Sequence, residues 1–184
     1  MNEAALSGAT ETAVLVLVPD AEHAVAEHRA HLDMAASWGV PAHLSVVYPF
    51  VPPADVDDDL LAGLAAAVGS VPAFDCVFSR TDWFGDDVLW LAPVPDTPFR
   101  ELTRAVVETF PAHLPYGGIH GEPTPHLTVG ELRLGSTAEL EAAERAVGAH
   151  LPIRARVKRA VLLAGRPERG AWQPVAEFAL GVTG

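Results

Sequence analysis

Two short segments of the chain, His43-Leu44-Ser45-Val46 and His126-Leu127-Thr128-Val129, repeat one pattern. Each has a histidine two residues before a hydroxyl residue, with apolar residues between and after them. Because side chains alternate between the two faces of a β-strand, each histidine and its hydroxyl residue should point to the same side. Two such strands side by side would place two imidazoles and two hydroxyl groups around one small cavity. The repeat therefore predicts two related halves with a shared site.

The overall composition favours a folded domain. The chain has 184 residues, of which 49% are hydrophobic and 20% are charged. A packed core is therefore expected, and disorder is not. We predict a flexible N-terminus over residues 1–12 and a single domain over 13–184 that is made of two intertwined lobes.

The net charge of the chain limits the kinds of molecule that it can bind. The net charge of −12 argues against binding of long nucleic acids, which depends on neutralising phosphates with lysine and arginine. Half of the basic residues nevertheless lie within 154–169. Among them Arg154, Arg156 and Lys158 alternate with apolar residues and should share one strand face. We interpret that face as solvent-exposed, and the alternative is a basic wall that steers an anion into the site.

Other bulk features exclude several classes. Cys76 is the only cysteine in the sequence, which leaves no disulfide framework and no cysteine-rich zinc site. The apolar run 13–18 is too short to span a bilayer, and the residues before it lack the basic region of a signal peptide. We therefore expect a soluble, cytoplasmic monomer with no metal, no cofactor and no membrane partner.

Hydrophobic patterns and capping residues predict the element order β-α-β-α-β-β-α-β-α-β-β. Both histidine segments are strands in this prediction, and each is followed by a capped helix. Residues 136–139 (STAE) form the capping box of the second of these helices. Residues 153–163 and 172–180 are the last two strands. Hairpins and short connections favour an α+β fold of two mostly antiparallel sheets with helices on their outer sides.

The paired segments suit acid–base chemistry on an anionic group. Histidine gains or loses a proton near neutral pH. Cleavage of a phosphodiester needs a base for the attacking oxygen and an acid for the leaving oxygen, and two opposed histidines suit these roles. The hydroxyl groups of Ser45 and Thr128 can donate to the phosphate oxygens. A single His-x-Thr segment is more often structural, so this hypothesis depends on the pair.

The stretches around the two histidines resemble a known family. Residues 41–50 (PAHLSVVYPF) and 125–129 (PHLTV) are similar to the two signatures of the two-histidine (2H) phosphoesterases, and 115–121 (PYGGIHG) also resembles that group. The superfamily includes the bacterial 2'-5' RNA ligase-like proteins. The resemblance implies a bilobal fold with a pseudo-two-fold axis and a central cleft. It also implies metal-independent action on 2',3'-cyclic phosphates, or related cyclic phosphodiesters, of RNA ends or small nucleotides.

The resemblance also assigns roles by position in the two signatures. It implies that His43 and His126 are the general base and the general acid, in an order that stays open, and that Ser45 and Thr128 bind the phosphate. Four aromatic residues are candidate substrate contacts, with packing as the alternative role. They lie near the signatures, in a glycine-rich loop and at the last strand. These aromatic residues are Tyr48, Phe50, Tyr116 and Trp172.

The leading hypothesis is a cyclic phosphodiesterase, a hydrolase of RNA processing, whose substrate is a small nucleotide or an RNA end. Two alternatives stay open. The cleft could bind a nucleotide or an RNA end without turnover, or the protein could be a reversible 2'-5' RNA ligase. A ligase must hold two RNA ends together, for which a net charge of −12 is unfavourable.

Overall fold

The computed structural model describes residues 1–118 and 123–182, with the side chain of Tyr116 left out. The strands and helices of this part of the chain alternate in an α+β order. In sequence they are α1 (Glu3–Leu6), β1 (Glu11–Leu17), α2 (Glu22–Leu32), α3 (Met34–Ser37), β2 (His43–Val47), α4 (Asp58–Gly69), β3 (Phe74–Phe84), β4 (Val88–Val94), α5 (Thr97–Thr109), β5 (Leu127–Glu131), α6 (Thr137–Gly148), β6 (Ile153–Val157), β7 (Arg159–Gly165) and β8 (Gln173–Ala179).

The strands form two antiparallel four-stranded sheets, which confirms the predicted α+β class. The first sheet has the order β2-β1-β7-β8 and the second has the order β5-β4-β3-β6. In each sheet the strand of a histidine segment lies at an edge, next to the strand that a helix connects to it. The matching orders relate the two halves by a pseudo-two-fold axis.

Two helices cross from one half to the other. Helix α2 connects β1 to β2 but packs against β5 of the second sheet, and α5 connects β4 to β5 but packs against β2 of the first. Gly130 permits the first crossing, because a Cβ atom there would lie 2.9 Å from the Cβ atom of Leu32 and 2.7 Å from Cδ2 of Leu140. Each histidine strand is therefore supported by a helix that belongs to the other half.

The two faces of the first sheet differ in what covers them. One face carries Leu44 and Val46 into the large core shared by both sheets and the helices. The opposite face contributes Leu15 to a smaller apolar cluster. Leu15 lies directly opposite Ser45 on the neighbouring strand. The connection between β7 and β8 covers this smaller cluster, and it is held by a hydrogen bond of 3.1 Å from the Trp172 amide to the Trp38 carbonyl oxygen.

The prediction of one continuous strand over residues 153–163 is wrong. The structure divides it into β6 and β7, which lie in different sheets. Along β6 buried and exposed residues alternate, whereas β7 is buried from Ala160 to Gly165. The change in pattern falls at Lys158, where an edge strand with one solvent-exposed face gives way to an interior strand with both faces covered.

The ends of the chain and of its helices follow ordinary rules of capping and pairing. The capping box of Ser136 and Glu139 is present at the start of α6, as predicted. Residues 1–12, for which we predict flexibility, contain α1 and the first residues of β1, and the amide of Asn2 donates to the carbonyl oxygen of Val175. No helix within the described residues is long and apolar enough to cross a membrane.

Candidate active site

The two histidine segments meet between the sheets, because the edge strands β2 and β5 are neighbours. Along both segments the histidine and the hydroxyl residue are half-buried, while the apolar residues that alternate with them are buried. This is the alternation that the repeat predicts for a strand. A groove at this junction is lined by Ser45, Tyr48, Thr103 and His126, and by prolines of the segments around residues 115 and 123–125.

The two imidazoles are held in the same way. Nδ1 of His43 lies 2.8 Å from the carbonyl oxygen of Pro41, and Nδ1 of His126 lies 2.8 Å from the carbonyl oxygen of Thr124. A carbonyl oxygen only accepts hydrogen bonds, so Nδ1 carries the hydrogen in both rings. In the neutral state each ring is therefore left with a lone pair on Nε2. The backbone carbonyl two residues earlier thus fixes the same tautomer at both positions.

Both histidines favour the neutral form. Burial and, to a smaller extent, the positive charge of Arg29 lower the pKa of His43 to about 3, against the opposing effect of its hydrogen bond to Pro41. His126 adds slightly to the lowering. Burial also lowers the pKa of His126, against its hydrogen bond to Thr124. Arg29 therefore distinguishes the two imidazoles.

Arg29 is a buried cation on α2 that the sequence analysis missed. Its side chain is 2% exposed, and its Nε and Nη2 atoms lie 2.8 Å and 2.7 Å from Oδ2 of Asp33. Nη2 also donates to the carbonyl oxygen of Val40, and Oδ1 of Asp33 accepts from the amide of Ala35 at the start of α3. These partners compensate a charge that would be costly alone in the interior. The only sequence signal was the four-residue spacing of the pair.

An aromatic wall, formed by Phe84 and Trp90, stands beside His126, and the sequence analysis missed it as well. The two rings are stacked with centroids 4.7 Å apart, and Phe84 meets the edge of His126 at 4.9 Å. Trp90 pairs with Thr128 across the strands, so both project from the same face of the second sheet. Phe84 remains 36% exposed. A large aromatic ring next to a candidate catalytic histidine suggests a surface for a planar group.

The aromatic residues that the sequence analysis named lie in different surroundings. Tyr48 lines the groove, and its hydroxyl group donates to Oε2 of Glu11 at 2.8 Å. Phe50 and Trp172 have almost no exposed surface: Phe50 packs against Phe110 and His113, and Trp172 lies parallel to Trp38. Their role as substrate contacts remains a prediction, which the burial of Phe50 and Trp172 does not favour.

The other candidates either do not line the groove or lie outside the described part of the chain. The side chain of Tyr116 and residues 119–122 of its glycine-rich loop are outside the described residues. Arg154, Arg156 and Lys158 are exposed, and Nη1 of Arg156 lies 2.7 Å from Oδ2 of Asp75. Across 1–118 and 123–182, no group of three or more histidine, cysteine or acidic residues has the arrangement of a metal site.

The fold and the paired histidines define a two-histidine phosphoesterase architecture. The family model of the 2'-5' RNA ligase superfamily matches residues 17–168. The chain therefore belongs to this superfamily of 2H phosphoesterases. None of the curated proteins has a significant match to the chain.

Solved structures share the fold over nearly the whole chain. The apo form of LigT from E. coli superposes with a TM-score of 0.59 at 18% identity, covering 94% of this chain and 98% of LigT. TT0787 of Thermus thermophilus gives 0.61 at 14% identity, covering 95% and 100% of the two chains. A further structure, described as a phosphoesterase, gives 0.58 at 15% identity, with 94% and 99% covered. At these identities the likeness concerns the fold alone.

Proposed function

We propose that the protein is a cyclic phosphodiesterase that opens the 2',3'-cyclic phosphate of a small nucleotide or an RNA end. The observation that carries the proposal is the pair of half-buried imidazoles, each fixed through Nδ1 by a backbone carbonyl and each left with Nε2 for chemistry. Structures of the related LigT hold 3'-AMP in one case and phosphate in another. A nucleotide phosphate in the groove is consistent with both.

In this reaction the two histidines have different roles, with His43 as the base and His126 as the acid. The charge of Arg29 acts on His43, so the catalytic proton resides more readily on His126. Nε2 of His43 accepts a proton from water as the water oxygen bonds to phosphorus. The bond from phosphorus to one ribose oxygen breaks, and Nε2 of His126 protonates that oxygen. The hydroxyl groups of Ser45 and Thr128 donate to the two non-bridging oxygens.

A direct assay tests the proposal. Purified protein is incubated with nucleoside 2',3'-cyclic phosphates and with RNA ending in a cyclic phosphate, in the presence of EDTA, and the products are separated by chromatography. Hydrolysis to a phosphomonoester is expected. Saturable nucleotide binding without any product would instead favour a binding protein, and joining of two RNA ends would favour a ligase. Activity that EDTA abolishes and a metal restores would contradict the metal-independent scheme.

The pH dependence of turnover is expected to reflect the lowered pKa values of both histidines. The pKa of His126 lies below its ordinary value, so lowering the pH from 8 towards 6 increases the fraction of free protein with a protonated acid. His43, with a pKa of about 3, remains unprotonated over that range. We therefore expect kcat/KM to rise on acidification between pH 8 and pH 6. Profiles of kcat/KM and kcat measure this, and a kcat/KM that increases with pH over the same range would contradict the assignment.

The aromatic wall is expected to bind the base of the substrate. Stacking on an aromatic side chain contributes roughly 1–3 kcal/mol per base. Phe84→Ala should therefore raise KM for adenosine 2',3'-cyclic phosphate by about tenfold, with a smaller effect on kcat. Phe84→Tyr keeps the ring and serves as the matched control, with KM close to that of the wild type. Equal KM values in the alanine and tyrosine variants would show that the base binds elsewhere.

A further inference from the structure

A second cavity lies beside the groove that His126 and Ser45 line. It has a volume of about 410 Å³, within the range of roughly 300–1,000 Å³ that small-ligand sites occupy. Thr103, Pro115 and Pro123 line both the cavity and the groove that contains Ser45 and His126, so the two spaces are direct neighbours. A molecule that reacts in the groove can therefore extend into the cavity. We call this space the arginine cavity, after Arg100 and Arg104 in its wall.

One face of α5 forms the polar wall of the arginine cavity. Arg100, Thr103, Arg104 and Val107 follow the spacing that places residues on one side of a helix. Phe99, Leu102 and Val106 occupy the opposite side and are buried in the core. The core contacts fix the rotation of α5, and both guanidinium groups consequently border the cavity.

The two arginines differ in how their charge is compensated. Nε of Arg100 donates to Oδ2 of Asp96 at 2.9 Å, and its Nη1 donates to the carbonyl oxygen of Pro123 at 3.3 Å. Arg104 is exposed, and within the described part of the chain no acidic side chain forms an ion pair with it, Glu101 and Glu108 on the same helix included. On a chain with a net charge of −12, this cavity is thus locally favourable for an anion.

The chemistry of the proposed substrate indicates which anion this is. A 2',3'-cyclic phosphate uses two ribose oxygens, so the next phosphate of the same molecule is attached through the 5' oxygen. We infer that the arginine cavity binds this phosphate on the 5' side of the reacting nucleotide. Val107, Leu114 and Pro115 give the cavity an apolar part for the nucleoside beyond it. The inference rests on the proposed function and adds to it a site for a second phosphate of the same substrate.

Three substrates test the inference: adenosine 2',3'-cyclic phosphate, the same compound with a 5'-phosphate, and the dinucleotide ApA ending in a cyclic phosphate. We expect the wild type to have a kcat/KM at least about tenfold higher for the two longer substrates, because a charge-assisted contact is added. A further gain for the dinucleotide over the 5'-phosphate identifies an RNA end as the source of the phosphate. Equal gains identify a nucleotide 5'-phosphate as sufficient.

Variants assign the preference to Arg104. Arg104→Ala should reduce the ratio of kcat/KM between long and short substrates towards one. Arg145→Ala, which removes the same charge from an exposed position on α6, should leave that ratio at the wild-type value. A wild type without preference, or an Arg104→Ala variant with the full preference, would overturn the inference.

A binding measurement separates this inference from the proposed function. If no substrate is turned over, the proposed function fails, and calorimetry then compares adenosine 3'-phosphate with adenosine 3',5'-bisphosphate. About tenfold tighter binding of the bisphosphate that is lost in Arg104→Ala supports the arginine cavity as a phosphate site. Equal binding of the two compounds overturns it.

Discussion

Replacement of His126 by alanine is expected to reduce turnover of a nucleoside 2',3'-cyclic phosphate by about 10²–10⁴-fold, and His43→Ala should have an effect of the same order. Each variant removes one of the two positioned groups that transfer protons. The effects should not multiply in the double variant, because base and acid act on one reaction as a unit. The measurement is kcat/KM for this one nucleoside 2',3'-cyclic phosphate, with purified protein in the presence of EDTA.

The controls for this experiment distinguish lost chemistry from lost structure. Both histidines are half-buried, with His43 at the start of β2 and His126 directly before β5, so the alanine variants should keep the circular dichroism spectrum of the wild type. His31→Ala removes an exposed histidine of α2 and should retain full activity. A folded His43→Ala or His126→Ala variant with wild-type turnover would contradict the proposed pair.

Gly165→Ala is expected to lower the free energy of unfolding by about 1–3 kcal/mol. Gly165 ends β7, and a Cβ atom added there would overlap the indole of Trp172, within 2.6 Å of its Cδ1 and Cδ2 atoms. Two further rings pack against the indole, because it lies parallel to Trp38 at 6.2 Å and meets Tyr48 at 6.0 Å. The substitution must therefore displace the ring or the backbone. Denaturant unfolding followed by tryptophan fluorescence measures the change.

Gly148→Ala is the matched control for this substitution. Gly148 ends α6, and a Cβ atom added there would meet no atom within 4 Å. Its free energy of unfolding should stay the same or increase by roughly 0.4–1 kcal/mol, because alanine restricts the unfolded chain. Equal stability of the two variants would show that the Trp172 ring adjusts to the added methyl group without cost.

The local part of the site could be predicted because it depends on a period of two residues. Alternation alone places His43 with Ser45 and His126 with Thr128 on one face of each strand, and the structure has this pattern of exposure. Strand and helix signals also led to two antiparallel sheets. The similarity of the two short segments then indicated two related halves, which the matching strand orders confirm.

The remaining features depend on contacts between distant parts of the chain. Phe84 and Trp90 look in sequence like ordinary members of a hairpin, and their position beside His126 follows only from the pairing of β4 with β5. Arg29 belongs to a helix of ordinary composition, and its proximity to His43 follows from the folding of α2 and α3. The division at Lys158 was visible as a change of hydrophobic pattern, but an unbroken run of strand-forming residues concealed it.

The crossing of α2 and α5 has a consequence for how the molecule can move. In many two-part proteins a hinge lets the parts swing apart while each keeps its own support. Here each histidine strand rests on a helix from the opposite half, so a swinging motion would separate a strand from its backing. We therefore expect the common core to keep the separation of the two imidazoles constant while a substrate enters the groove.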